Sequence, residues 1–236
     1  MQTFLQFIRS CPLGGASPRN DWRNNDFLGT PAKTYSPHAV ICREGDDDDR
    51  IFFVKSGWGL LYRGLQNAER QILDTPLRGD LVGFRSVDGP RLVTLTALTE
   101  MSVYEVPRND LVAAMMLDGT LANKIACNLA RRKAILSEHL VSAGRRNAIT
   151  RTAHFLLELE ARLSAVGLAA HGRYECPLIQ NELADILGMS TVHVSRTLSE
   201  LRKDKLLSFK TGHVQVINGK RLVEMTGFDK EYLRYT

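Results

Sequence analysis

Between Lys33 and Pro107 the apolar positions fall in short runs rich in β-branched and aromatic residues, at 39–43, 51–55, 58–62, 71–73, 92–97 and 101–106. Gly45, Gly57, Gly64, Gly79, Gly83 and Gly89 punctuate them at the intervals expected of an antiparallel barrel or sandwich. Past Pro107 the period lengthens. Residues 109–116 read as a short helix and 118–142 as a long one, roughly 37 Å at 1.5 Å per residue. Along the long one Ile125, Leu129 and Leu136 take the spacing of a coiled-coil seam, with Arg132 and His139 at the intervening places. The same spacing also suits a helix packed on the barrel. Gly144 marks a hinge, and 148–166 is amphipathic through Ile149, Ala153, Leu156, Leu157 and Leu163.

The stretch 178–207 predicts two helices held at a sharp turn. Leu183, Ala184 and Leu187 form one buried face, and Gly188 follows where a left-handed residue ends a helix. Ser190 is suited to cap a second helix, in which Val194, Leu198 and Leu201 repeat inward at i, i+4 and i+7. Thr191, Val192, His193, Ser195, Arg196, Arg202 and Lys203 are left on the outer face, with Gln180 at the start of the first helix. A helix of this kind fits the major groove, where a guanidinium such as that of Arg196 bonds guanine O6 and N7 together. Two β-prone runs, 206–209 and 214–217, flank Thr211-Gly212 as a hairpin wing with Lys210 and His213 near its tip.

Charge agrees with a polyanionic partner for the C-terminal part. There are 17 basic against 16 acidic residues before Gly144 and 14 against 10 after it. Cys11, Cys42, Cys127 and Cys176 stand apart, without metal-ligand spacing, and are expected as reduced thiols. No run approaches the roughly 18 apolar residues of a membrane span, so a soluble, cytoplasmic protein is expected. Asp46 to Asp49 lack the spaced, Gly-containing pattern of a cation loop and read as a solvated turn. No nucleophile with a base, phosphate loop or metal constellation is present, and only His38 lies in the barrel region, which argues against a cupin-like enzyme.

LADILGMSTVHVSRTLSELRK resembles the recognition motif of the Crp/Fnr family of bacterial transcription regulators. Arg43-Glu44-Gly45-Asp46, Phe53-Val54-Lys55-Ser56-Gly57 and Gly79-Asp80-Leu81-Val82-Gly83 resemble, in order, that family's cyclic-nucleotide-binding β-roll. The match runs from about Lys33 to Ile217, and the tail from Gly227 to Leu233 resembles tails of alphaproteobacterial members. Pro12, Gly14, Gly15, Pro18 and Asn20 break any period in 1–24, which reads as an accessory segment. For the rest the resemblance implies an α+β chain: a jelly-roll-like antiparallel β-roll sensor (25–117), a long dimerisation helix (118–144) and a winged helix-turn-helix (145–236). It implies a homodimer on a near-palindromic operator, acting with RNA polymerase. A sensor module that signals through a protein partner is the alternative.

Departures from the family bear on specificity. Its recognition helix carries a Glu and an Arg at positions aligned with Val192 and Arg196; Val192 offers thymine a methyl contact and cytosine no acceptor. Its first-helix cap is replaced by Ile179, leaving Glu182 to reach back to the backbone. The resemblance places an effector pocket at Gly83, Phe84, Arg91, Leu136 and Ser137. Cyclic-AMP-binding members have a Glu after the Gly83 position and an Arg-Ser pair where this chain has Arg91-Leu92; their adenine-binding Thr aligns with Leu136, and Ser137 retains the neighbouring Ser. Tight cyclic AMP binding is not expected. With Cys11 alone in its region, no iron-sulfur cluster is expected, and no histidine pattern announces haem.

Overall fold

Strand β3 (Arg50–Ser56) is apolar at consecutive positions because both of its faces are covered. Successive side chains on a strand point to opposite sides. Ile51 and Phe53 enter one buried cluster, and Phe52 and Val54 another. The computed structural model describes Phe4 and residues 30–67, 69–85, 89–210 and 212–234. In it β3 pairs antiparallel with β8 (Met101–Pro107), Phe53 opposite Tyr104. Outside these lie β1 (Lys33–Tyr35) against β8 and β6 (Leu81–Val82) against β3. A second sheet sets β2 (Val40–Cys42) beside β7 (Thr94–Ala97), and β7 beside β4 (Gly59–Gly64).

Ile41, Leu95, Met101 and Val103 join Phe52 and Val54 in one cluster. Tyr104 and Val106 join Ile51 and Phe53 in the other, where they meet Leu111 and Ala114 of α1 (Arg108–Leu117) and Ile125 of α2 (Gly119–Arg145). The turn between β3 and β4 requires glycine: Gly57 has φ +88°, and a Cβ there would lie 2.2 Å from the Glu100 carbonyl oxygen.

The chain divides into two compact units, residues 1–63 with 75–132 and 235–236, and residues 64–74 with 133–234. In the second, α3 (Ala148–Ala165) is capped by Asn147, whose Oδ1 accepts from the Thr150 amide at 2.9 Å. Helix α3 packs on α5 (Thr191–Lys203) and α6 (Gly219–Thr226), and α5 packs on α4 (Gln180–Leu187). A four-stranded sheet runs β11 (Leu207–Lys210), β12 (His213–Val216), β10 (Arg173–Glu175), β9 (Ala169–Ala170). Strand β5 (Arg70–Asp74) belongs to this unit, and a 3-10 turn (Lys230–Leu233) lies in the tail.

The expected α+β class, with an antiparallel β-roll, a long helix and a winged helix-turn-helix, is the observed one. Strands β1, β6, β9 and β10, of two or three residues each, are too short to carry a period. Of the accessory segment 1–24, only Phe4 is described; its ring centroid lies 4.6 Å from that of Phe53.

Helix α3 carries a buried polar stripe. His154, Glu158 and Arg162 are four residues apart and at most 3% exposed. Glu158 accepts from His139 Nε2 at 3.1 Å, from Tyr232 Oη at 3.0 Å and from Arg162 Nη1 at 3.3 Å, while Arg162 also reaches Asp74 at 3.0 Å. Burial works against charge on His139, but the Glu158 carboxylate outweighs it and the pKa is pushed up to about 9. For His154, burial and then Arg146 push the pKa down to about 4. The His154 ring is met edge-on by Phe228 at 5.1 Å and stacked by Tyr232 at 6.4 Å.

Candidate nucleic-acid interface and sensor pocket

The helix-turn-helix is assembled by local backbone chemistry. At the start of α4, Ile179 has no side-chain acceptor, and the Glu182 carboxylate instead takes the Ile179 amide at 2.7 Å. At its end Gly188 is left-handed, with φ +62°. Arg151 of α3 donates to the Leu187 carbonyl at 2.7 Å, and Gln71 of β5 donates to the Asp185 carbonyl at 2.7 Å, so two side chains satisfy carbonyls at that terminus. Arg70 pairs with Asp185 at 2.8 Å.

Helix α5 begins at Ser190, whose hydroxyl accepts from the His193 amide at 3.3 Å. Its inward face is Val194, Thr197 and Leu201, all buried, with Leu198 only half-buried. Thr197 therefore takes a larger share of the packing than the i, i+4, i+7 apolar spacing predicts. Val192, His193, Arg196, Arg202 and Lys203 are exposed, and Thr191 and Ser195 partly so. Gln180 is exposed at the first position of α4. Arg196 makes no ion pair among the described residues, so its guanidinium faces outward with its donors available. Ser190 through Lys203 thus form one polar, basic surface, and Lys205 and Lys210 extend its charge. The wing pairs Lys210 with His213 next to Gly212, which has φ +74°; Thr211 lies outside the described residues.

The residues expected along the long helix separate into two environments. Ile125 is fully buried and Leu129 packs on the same cluster, so this half of α2 gives its seam positions to the core of the first unit. Leu136 is 42% exposed, and Leu140 and Val141 are also exposed. Arg132 is half-buried, and His139 is taken by Glu158.

Of the expected pocket, Gly83 and Arg91 lie together: a Cβ on Gly83 would come within 2.8 Å of Arg91 Nη1. Phe84 instead packs against the cluster containing Ile51 and Phe53. Leu136 and Ser137 lie in the second unit, where the Ser137 hydroxyl bonds to the Lys133 carbonyl at 3.0 Å. Arg91 is buried and forks onto Asp48, Nε to Oδ2 at 3.0 Å and Nη2 to Oδ1. The hydrogen bonds from Arg91, foremost, hold the Asp48 carboxyl well below the usual carboxylate range. The acidic turn is therefore more than a solvated loop: one of its carboxylates is committed to a buried guanidinium. Among the described residues no group of three His, Cys, Asp or Glu could hold a metal, and no helix is long and apolar enough to cross a membrane.

A cyclic-nucleotide-binding-like β-roll, a long helix and a winged helix-turn-helix with a basic outer face define a DNA-binding transcription regulator with a sensing domain. The chain belongs to the Crp/Fnr family: residues 32–118 match the cyclic nucleotide-binding domain and 150–225 the Crp-like helix-turn-helix domain. It is 28% identical over 189 residues to the transcriptional activator protein FnrA of Stutzerimonas stutzeri, covering 80% of this chain and 77% of that one. It is 27% identical over 184 residues to the nitrogen fixation regulation protein FixK of Rhizobium meliloti, covering 75% and 78%. The solved structure of FixK2 from Bradyrhizobium japonicum matches with a TM-score of 0.74 at 28% identity, over 83% of this chain and 96% of that one. These relatives are regulators, and the chain is one too, not an enzyme.

Proposed function

We propose that the protein acts as a homodimer that presents two α5 helices to a near-palindromic DNA site and regulates transcription by RNA polymerase, with an effector other than cyclic AMP. The outward, unpaired guanidinium of Arg196 on a helix fixed by Ser190, Val194 and Leu201 is the observation that carries this reading. Thr191, Val192, Ser195 and Arg196 are its base readers, Val192 through a thymine methyl; Gln180, Ser190, His193, Arg202 and Lys203 hold phosphates. Leu136, Leu140 and Val141 supply the apolar strip that a second copy covers. Against cyclic AMP stand Phe84, which is committed to packing and has no acceptor for a ribose hydroxyl, and Leu92, which is 66% exposed where a phosphate-binding hydroxyl is wanted.

Selection of bound duplexes from a random pool tests the reading. It should enrich a two-fold motif with half-sites about 34 Å apart. Arg196→Ala should lose sequence discrimination by roughly 1–3 kcal/mol at one position of each half-site. Lys203→Ala should instead weaken all sequences alike and lower the salt slope by about 1. An unchanged preference in Arg196→Ala would refute the readout, and absence of binding by a folded dimer, with and without cell extract, would favour a sensor that signals through a protein partner.

A further inference from the structure

We infer that the Arg91 guanidinium is an oxyanion site whose occupant is built into the chain, the Asp48 carboxylate, so that the β-roll stands in its filled form with no added anion. The inference rests on the reading of the first unit as the sensing part.

The geometry is that of a held ligand. The Arg91 side chain is 3% exposed and the Asp48 side chain 25%, so the carboxylate closes the outer side of a buried cation. Two parallel bonds join them, and Arg91 Nη2 also donates to the Arg50 carbonyl at 2.5 Å. The Phe52 ring lies 5.0 Å from the guanidinium carbon, and Gly83 leaves room at Nη1 that any side chain would fill. A guanidinium fork matches two oxygens of a carboxylate or of a phosphate equally well in shape.

The occupant is positioned by backbone as well as by charge. Asp48 Oδ1 accepts from the Arg50 amide at 3.0 Å, and Arg85 Nη2 donates to the Asp48 carbonyl at 2.6 Å. The acidic turn and the Arg91 segment are stitched together by Arg91 N to Asp46 O at 2.9 Å and Gly45 N to Arg91 O at 2.8 Å. Arg50 Nε stands 3.4 Å from Asp48 while its Nη1 pairs with Glu105 at 2.7 Å. Among the described residues Arg91, Arg50 and Arg85 thus all meet Asp48, Arg50 being shared with Glu105 of β8, and loss of the Asp48 carboxylate leaves a cationic, shaped recess for an oxyanion. An external phosphate or carboxylate competes in the wild type with a tethered one of high effective concentration.

Thermal unfolding of full-length wild type, Asp48→Ala and the double variant Asp48→Ala/Arg91→Gln, with acetate, inorganic phosphate or cyclic AMP, separates the outcomes. The wild-type midpoint should not follow any of the three beyond the nonspecific salt response of the double variant. The midpoint of Asp48→Ala should start lower and rise by about 3–6 °C at a tenfold excess of acetate or phosphate over its Kd. If only cyclic AMP restores it, the recess reads a nucleotide rather than an oxyanion, and the inference fails. It is equally overturned by a specific wild-type shift, or by an Asp48→Ala response no larger than that of the double variant. Asp48→Asn, which keeps the side-chain volume, answers the same question with a smaller initial loss should the alanine variant not fold. Because unfolding is the readout, a failure of DNA recognition bears on the regulator reading and not on this one.

Discussion

Glu158→Ala is expected to lower stability by about 3–5 kcal/mol, the usual cost of removing one member of a buried, hydrogen-bonded charge cluster. Glu158 is wholly buried and holds His139, Arg162 and Tyr232 at once. Without it the buried His139 ring loses the carboxylate that keeps it charged, and the buried Arg162 guanidinium loses one of its carboxylate partners, keeping its bond to Asp74. Tyr232→Phe, which removes a single hydrogen bond, should cost about 1 kcal/mol. Urea unfolding of both variants gives the comparison, and equal losses would show that Glu158 does not organise the cluster.

The two histidines beside Glu158 give the wild type a stability maximum near pH 6.5. The folded-state pKa of His139, about 9, is above its ordinary value of 6.5, so its contribution is complete below pH 6.5 and lost as pH rises toward 9. For His154 the folded value of about 4 is below 6.5, so its contribution is complete above pH 6.5 and lost as pH falls toward 4. Unfolding midpoints between pH 4.5 and 9.5 should therefore fall on both sides. His154→Gln should flatten the acid limb, and Glu158→Ala the alkaline one, because His139 then has no carboxylate at 3.1 Å.

Asp80→Ala should be of similar size, about 3–5 kcal/mol, for a related reason in the first unit. Asp80 and Arg131 are each about 2% exposed and paired, and Asp80 Oδ2 also accepts from the Leu77 amide at 2.8 Å. Asn128, one turn before Arg131, accepts from the Leu81 amide at 3.2 Å and donates to the Gly79 carbonyl at 2.9 Å. Helix α2 is thereby pinned to the turn Gly79-Asp80-Leu81, the same turn whose glycine pattern resembles the family's β-roll. Asp80→Asn keeps an acceptor for Leu77 and should lose less. In urea the midpoint should fall with the slope unchanged; a loss below about 1 kcal/mol for the alanine variant would mean the pin carries little.

The readable parts of the sequence were those in which one residue type answers one local demand. Gly188 and Ser190 bound the turn, Val194 and Leu201 mark the inward face, and the continuous apolar run of β3 records burial on both sides. What stayed hidden depends on partners distant in sequence. Asp48 looks like its three acidic neighbours until Arg91 comes against it 43 residues later. Glu158 sits four residues from both His154 and Arg162, a spacing that reads as a solvated helix face, yet β5, α2 and the tail cover that face. Ile125 and Leu136 share a seam spacing, and only the packing of the β-roll separates a core residue from an exposed one.

The membership of β5 in the second unit also sets an order of assembly on the ribosome. Asp74 emerges 88 residues before Arg162, and Gln71 114 residues before the carbonyl it caps. Tyr232 completes the cluster around Glu158 last of all, 74 residues after Glu158 is made. The first unit has its strands by Pro107 and its share of α2 by residue 132, although α2 itself runs on to Arg145, and it can fold while synthesis continues. The unit that reads DNA cannot close its charge cluster until residue 232 has emerged, so a nascent chain acquires its β-roll well before it acquires a finished recognition surface.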